Sequence, residues 1–369
     1  MKPKRLKKRT GNKIFFLFVT ITATAIGVFW LLFTFSKPAD ISVTSLKTPI
    51  TDMHIHTAGL GHGGSGIIIS DRLRQSYKMN FYLKAFRVSE GELKKHGDTF
   101  VLKVISELIS KAQMVDKAVI LALDGVVNSK GELDRKATEV YVPNDFLIKE
   151  LPKYPNLLLG ASINPFRHDA IKRLEKVAAH GAVLIKWIPN IMNIDPSDAR
   201  IEPFYRALAA HGIPLLTHTG AEASFTSAHN EWGDPKRLEL PLSLGVTVIA
   251  AHVATTGKIK GREQFERILP LFKKHPNLYA DISSLTQINK WGYLKRVMKA
   301  GIGKQLVYGS DWPLQFWPLV SPWYYLHQLS LSELKAITDF SNPFDRDILL
   351  KSALGVPNEV FTRWDKILR

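Results

Sequence analysis

The 369-residue sequence contains no cysteine. That excludes a disulfide framework and any thiolate-ligated metal, so a metal held by this chain must take nitrogen and oxygen donors. Acidic residues are also scarce: 33 Asp and Glu stand against 50 Lys and Arg, a formal charge of +17. A nucleic-acid module would gather that excess beside a recognisable motif. Here seven basic residues sit in the first thirteen (MKPKRLKKRTGNK), and the rest are spread along helical stretches such as SELKAITDF and GREQFERILPLFKK. No nucleic-acid partner is expected. Low complexity and internal repeats are missing too, and a 45% apolar content is enough for one large core or two modest ones.

Charge vanishes altogether from residues 14–35, IFFLFVTITATAIGVFWLLFTF. The run is longer than the ~7–15 apolar residues of a cleavable signal and meets the roughly 20 needed to span a bilayer. FSKPAD is a poor cleavage site. The reading is therefore a signal-anchor: a basic cytoplasmic tail (1–13), a single transmembrane helix (14–35), a polar linker (36–49) and a domain (50–369) on the far side of the cell membrane, by the positive-inside rule.

Beyond the linker, short apolar runs alternate with amphipathic helical stretches. The expected strands are 50–56 (ITDMHIH), 117–124, 156–164, 182–187, 213–219, 246–253, 277–283 and 305–311 (QLVYGSD). Eight strands with intervening helices predict an α/β fold, a (β/α)₈ TIM barrel. Polar residues close these runs: His54 and His56 the first, Lys186 the fourth, His218 the fifth, His252 the sixth and Asp311 the eighth. Taken singly, each has an ordinary structural reading as a cap, a core histidine or a surface lysine. In a barrel, however, all strand C-termini meet at one mouth, where active sites of this fold lie. Four imidazoles, an amine and a carboxylate gathered there predict a metal site.

These motifs resemble the amidohydrolase superfamily, in its amidohydrolase-2 branch, over roughly residues 49–355. DMHIH is similar to that family's His-x-His signature, LLTHTG and VIAAHV to its strand-five and strand-six histidines, and VYGSDWP to its strand-eight aspartate. The resemblance implies His54 and His56 as ligands of a first metal. It implies His218 and His252 as ligands of a second, or as electrophile and acid, and Asp311 as ligand and general base. Lys186 matches a lysine that some members carboxylate to bridge two metals. One or two divalent ions are expected, most simply Zn²⁺, which suits neutral imidazoles and a carboxylate.

The expected function is metal-dependent hydrolysis of an amide, ester or phosphoester bond in a small soluble substrate, by water acidified at the metal. The alternatives are metal-dependent non-oxidative decarboxylation of a small carboxylic acid, or a non-catalytic binding domain on the same barrel. Asp52 is a candidate partner of the histidine pair, and Asp281 closes the seventh strand. His62, Asn164, Glu222 and His229 are further candidates for substrate contact. The glycine-rich GLGHGGSG, which contains His62, lacks P-loop chemistry and is expected to be flexible. The aromatic stretch 312–325 (WPLQFWPLVSPWYY) is expected to wall the pocket, with the mouth directed away from the bilayer.

Overall fold

The computed structural model describes the backbone of residues 6–368 and the side chains of residues 15–368. The first five residues of the basic tail lie outside the described residues. Eight parallel strands form the barrel: β1 (Ile50–His56), β2 (Val115–Leu121), β3 (Leu157–Ala161), β4 (Leu184–Trp187), β5 (Leu215–His218), β6 (Val248–Ala251), β7 (Leu278–Asp281) and β8 (Leu306–Val307). Each follows its neighbour in chain order. Closure falls just past β8, where Ile55 bridges Trp312, His56 N donates to Trp312 O at 3.0 Å, and Asp311 N donates to His54 O at 2.9 Å.

The period of two along the strands separates two apolar layers. Val119, Leu121, Leu184, Leu216, Ile249 and Val307 fill the barrel, and Ile367 joins them in the same cluster. Ala118, Ile120, Ile185 and Trp187 face outwards into the larger shell packed beneath the helices. In β1 the pairing with β2 slips between Asp52 and Ile55, one extra residue on the β1 side. This bulge lets Met53 join the inner layer while the next residue, His54, also reaches the centre. Gly309 permits the crossing, because a Cβ there would lie 2.8 Å from the Cβ of His54.

All eight expected strands are present, several of them shorter than anticipated. The sixth and eighth strands end at Ala251 and Val307, short of the polar residues expected to close them. His252 and Asp311 lie beyond β6 and β8, on left-handed backbone with φ of 57° and 66°. Non-glycine residues are uncommon there, though His and Asp are among those that tolerate it.

An N-terminal helix runs from Leu6 to Phe35, and its apolar portion is Phe15–Phe35. Residues 36–49 are not a free tether. Ala39 N donates to Ser332 O at 3.0 Å, Ile41 and Val43 are buried, and Ser42 Oγ donates to Asn358 Oδ1 at 3.3 Å. The segment therefore runs down the flank of the barrel, along the helices Leu331–Asp339 and Pro343–Ala353, before entering β1. The Leu6–Phe35 helix meets the barrel at the start of this descent, against the segment that follows β8. Trp323 lies 5.1–6.4 Å, between ring centroids, from Phe33, Trp30 and Phe29.

GLGHGGSG is tied to the barrel by hydrogen bonds. The buried carboxylate of Asp98 accepts from the backbone N–H groups of Leu60 and Gly61 at 2.9 Å and of His62 at 3.1 Å, and from Ser65 Oγ. Consecutive N–H groups make a concave anion site. An internal carboxylate occupies it here.

Candidate active site

The mouth of the barrel is built around His54. Its Nδ1 lies 2.8 Å from Asp281 Oδ2 and donates to it, which fixes the tautomer and directs the Nε2 lone pair into the mouth. There Nε2 lies 3.2 Å from His56 Nε2, and Asp311 Oδ1 lies 3.4 and 3.3 Å from the two nitrogens. Lys186 Nζ approaches the same Nε2 to 2.8 Å. From the other side His252 directs Nε2 towards Asp311 Oδ2 at 3.8 Å, while Ser283 Oγ, 2.7 Å from its Nδ1, orients the ring. The His218 and His252 rings are 5.3 Å apart. His218 Nε2 is buried with no partner, and its Nδ1 lies 3.6 Å from Glu222 Oε2.

Burial decides the protonation states. It pulls His54 down to about 4 and His252 well below the ordinary histidine value, so both are neutral at pH 7, as metal ligands must be. Burial also works to raise Asp311, but the histidines beside it and Lys290 outweigh this and hold its carboxyl well below the usual range. Asp281 likewise stays ionised, held by His54 and by the N–H of His252. Lys186 and Lys290 are brought down to about 8 by burial, against the pull of the Asp311 and Asp281 carboxylates.

This donor set fits a divalent cation. The ligand atoms of His54, His56 and Asp311 lie within 4.8 Å of one another, and the lone pair of a neutral imidazole needs a partner at the buried, unpartnered His218 Nε2. All are nitrogen or carboxylate oxygen.

Each candidate residue has a definite place. His54, His56, Lys186, His218, His252, Asp311 and Glu222 line one cavity of about 210 Å³. His62, Asn164 and His229 do not line it. His62 sits in the Asp98-bound loop, Asn164 ties Gly125 O to Met192 O through its amide, and the His229 side chain is exposed beside Glu231. Asp52 lies below the histidines, where its Oδ1 accepts from His54 N and Ser310 N at 3.0 Å and so joins β1 to the barrel closure. The aromatic stretch 312–325 is not the pocket wall: it contributes Pro313 and Leu314, while Trp312 packs on Phe344 and Trp323 on the N-terminal helix. The walls come mainly from apolar residues after β1, among them Leu73, Met79, Leu83 and Phe86.

Lys290 and Ser283 are among the polar groups at this site that the sequence does not single out. Lys290, in a short turn after β7, lines the cavity and donates to Ser284 Oγ. Ser283 orients His252. Neither carries a periodic signal or a spacing motif. Asp281 was visible as the polar end of an apolar strand, but its partner was not.

A buried histidine and carboxylate cluster at the C-terminal mouth of a (β/α)₈ barrel defines a class of barrel enzyme. A family model described as Amidohydrolase matches residues 112–335, more than half of the chain, and the chain belongs to that family. It is an amidohydrolase-type enzyme. The match includes Lys186, His218, His252 and Asp311 and begins after the His54 and His56 pair.

No curated protein matches the sequence at a significant level. Among solved structures, the chain is similar to an uncharacterized TIM-barrel protein from Bordetella bronchiseptica, with 15% identity and a TM-score of 0.50 over 83% of this chain and 99% of the other. It also matches a 2,6-dihydroxybenzoate decarboxylase from Rhizobium, at 13% identity and a TM-score of 0.47, over 82% of this chain and 99% of that one. A probable 2-pyrone-4,6-dicarboxylic acid hydrolase from Acinetobacter baumannii matches at 15% identity and a TM-score of 0.43, over 85% and 98%. At these identities the first likeness speaks to the fold alone.

Proposed function

We propose that the protein is a membrane-anchored, metal-dependent hydrolase of an amide, ester or phosphoester bond. The observation that carries this reading is the convergence of His54 Nε2, His56 Nε2 and Asp311 Oδ1 within 3.4 Å of one another at the barrel mouth. His54, His56 and Asp311, with His218 and His252 beside them, would hold the divalent ion, and Zn²⁺ suits their donor types. Such an ion, when bound, acidifies water to a pKa of about 7 and polarises a carbonyl or phosphoryl oxygen.

The chain's own residues supply the rest. Asp311 Oδ2, on the side facing His252, takes the proton of the attacking water and returns it to the leaving group. His252 is kept neutral by burial and oriented by Ser283, as a residue that would hold the ion requires. Asp281 keeps His54 in the tautomer that presents Nε2. Lys186 and Lys290 give the cavity positive charge that suits an anionic group on the substrate. Elemental analysis of the full chain, purified in detergent without chelator, together with an unbiased hydrolysis panel, tests the reading. A chain that binds no divalent ion after reconstitution, with His54→Ala no different, would overturn it.

The two lysines also favour a second reading, non-oxidative decarboxylation, in which the carboxylate they attract is the group released. Carbon dioxide evolution from a panel of carboxylic acids separates the two.

The anchor reading rests on Phe15–Phe35. Phe15, Phe16, Leu17, Phe18 and Ile21 are each more than half exposed, and Leu31, Leu32 and Phe35 likewise, so the helix is apolar around its circumference with little protein covering it. Three of its four threonine hydroxyls are satisfied within the helix: Thr20, Thr22 and Thr34 donate to Phe16 O, Phe18 O and Trp30 O at 2.7–2.9 Å. That is what a hydrocarbon medium demands. The basic flank places the barrel outside the cytoplasm. Resistance to carbonate extraction, and protease access to the barrel from outside intact cells, test the span and its direction.

A further inference from the structure

The N-terminal helix and the barrel mouth lie on the same side of the molecule. The helix docks on Trp323, in the segment after β8, and the chain then descends the flank to reach β1 from below. A tether entering at the bottom would leave the mouth facing away from a membrane. Here the chain reaches the bottom only after leaving the helix near the top.

The exposed apolar side chains share this side. Outside the helix, the large exposed ones among the described residues are Tyr77, Ile171, Ile288, Trp291, Trp317 and Leu326. All but Ile171 lie on segments that follow β7, β8 and β1, which are neighbours around the barrel. Contacts join those segments into one sector: Trp291 stacks on Tyr325 at 5.2 Å, and Phe81 meets Phe316 at 5.1 Å. Trp317 is 74% exposed and Tyr77 83%, an arrangement that costs a soluble surface but suits a headgroup interface. The segment 71–87 adds exposed Arg72, Lys84 and Arg87, while Arg74 is paired with Glu90 at 3.0 Å, and Asp71 is its one acid, a balance that suits anionic lipid.

The cavity has matching polarity. Its far end holds His54, Lys186, Lys290 and Asp311, whereas the wall built by residues 73–93 is Leu73, Met79, Leu83, Phe86, Val88 and Leu93. Leu73, Met79, Leu83 and Phe86 belong to the same segment that carries Tyr77 and the arginines, and Val88 and Leu93 follow it directly. A polar group bound at the catalytic end would therefore trail its remainder along hydrocarbon towards the apolar sector.

We infer that the mouth sits on the bilayer surface and that the substrate is a lipid-like amphiphile, its polar head at the His54 and Asp311 centre and an aliphatic tail along the Leu73–Leu93 wall. This rests on the metal-hydrolase and membrane-anchor readings above and replaces their small soluble substrate with a membrane-derived one.

The absence of cysteine makes the test direct. Single Tyr77→Cys, Trp291→Cys, Trp317→Cys and Lys304→Cys variants of the full chain, the last at the opposite end of the barrel, are spin-labelled and reconstituted into phosphatidylcholine and phosphatidylglycerol vesicles. The first three labels should favour collision with oxygen over a water-soluble nickel complex, and the label at 304 should not. Three aqueous labels on a chain that resists carbonate extraction would overturn the inference and leave the anchor standing, whereas a chain that carbonate extracts would overturn both.

A second arm measures binding of hydroxamic acids, from acetohydroxamate to decanohydroxamate, to the metal-loaded full chain in detergent. Affinity should rise by about threefold to fourfold per methylene along the wall, and Leu83→Gln, at a half-buried position, should flatten the series. Equal affinity along the series would overturn the inference alone. No binding by any member would remove the metal reading and this inference with it.

Discussion

Asp281 and His54, 227 residues apart in sequence, are joined by a 2.8 Å hydrogen bond from His54 Nδ1 to Asp281 Oδ2. Both side chains are fully buried. The bond commits the other imidazole nitrogen to the centre of the mouth. Asp281→Ala removes that commitment and leaves His54 free to change tautomer. Affinity for the divalent ion should fall about 10–100-fold, the usual cost of losing such a partner, with overall fold retained by circular dichroism. Unchanged affinity in a chelator competition would show that the ring is oriented by something else.

Metal content is the simplest outcome to check. The full chain, purified in detergent without chelator, should hold one to two equivalents of divalent ion by elemental analysis, most of it zinc. The double variant His54→Ala, His56→Ala should retain less than about 0.2 equivalents, because ligand loss acts directly on binding free energy. A double variant that keeps the wild-type content would place the metal elsewhere.

Asp311→Asn keeps the shape of the side chain and removes the base. With a substrate found by the hydrolysis panel, kcat should fall by at least ~10²-fold, the low end of general-base effects, while the thermal midpoint stays close to that of the parent. Normal turnover in a folded, metal-replete variant would reassign the proton transfer.

Asp98 should matter for order rather than chemistry. Its carboxylate satisfies three backbone N–H groups and one hydroxyl of the loop 59–66. Asp98→Ala leaves those donors without their acceptor, at a cost of about 1–3 kcal/mol. Limited proteolysis should then cut within 59–66 while the parent resists. Equal resistance in both chains would mean the loop is held by packing alone.

The sequence by itself determined the barrel and most of its centre. Alternating apolar strands and amphipathic helices leave a parallel closed sheet as the natural way to bury both kinds of face, and a polar residue closing an apolar run can be read without coordinates. His54, His56, Lys186, His218, His252 and Asp311 were all legible on that ground, and the structure brings them to one cavity. Local pattern could not say which partner each of these groups would meet. Asp281 and His54 are 227 residues apart and meet only because the sheet curls into a barrel, whereas Ser283 with His252 and Asp98 with the glycine-rich loop are tertiary pairings between segments 31 to 38 residues apart. Nor could composition separate Trp323, which packs on the N-terminal helix, from Pro313 and Leu314, which line the cavity. Side-chain direction depends on where the backbone turns, and after β6 and β8 it turns through left-handed conformations at His252 and Asp311 that no hydrophobic periodicity signals. The course of residues 36–49 was decided in the same way: a polar segment with two prolines reads as a loose tether, until the flank of the barrel offers Ile41 and Val43 a place to be buried.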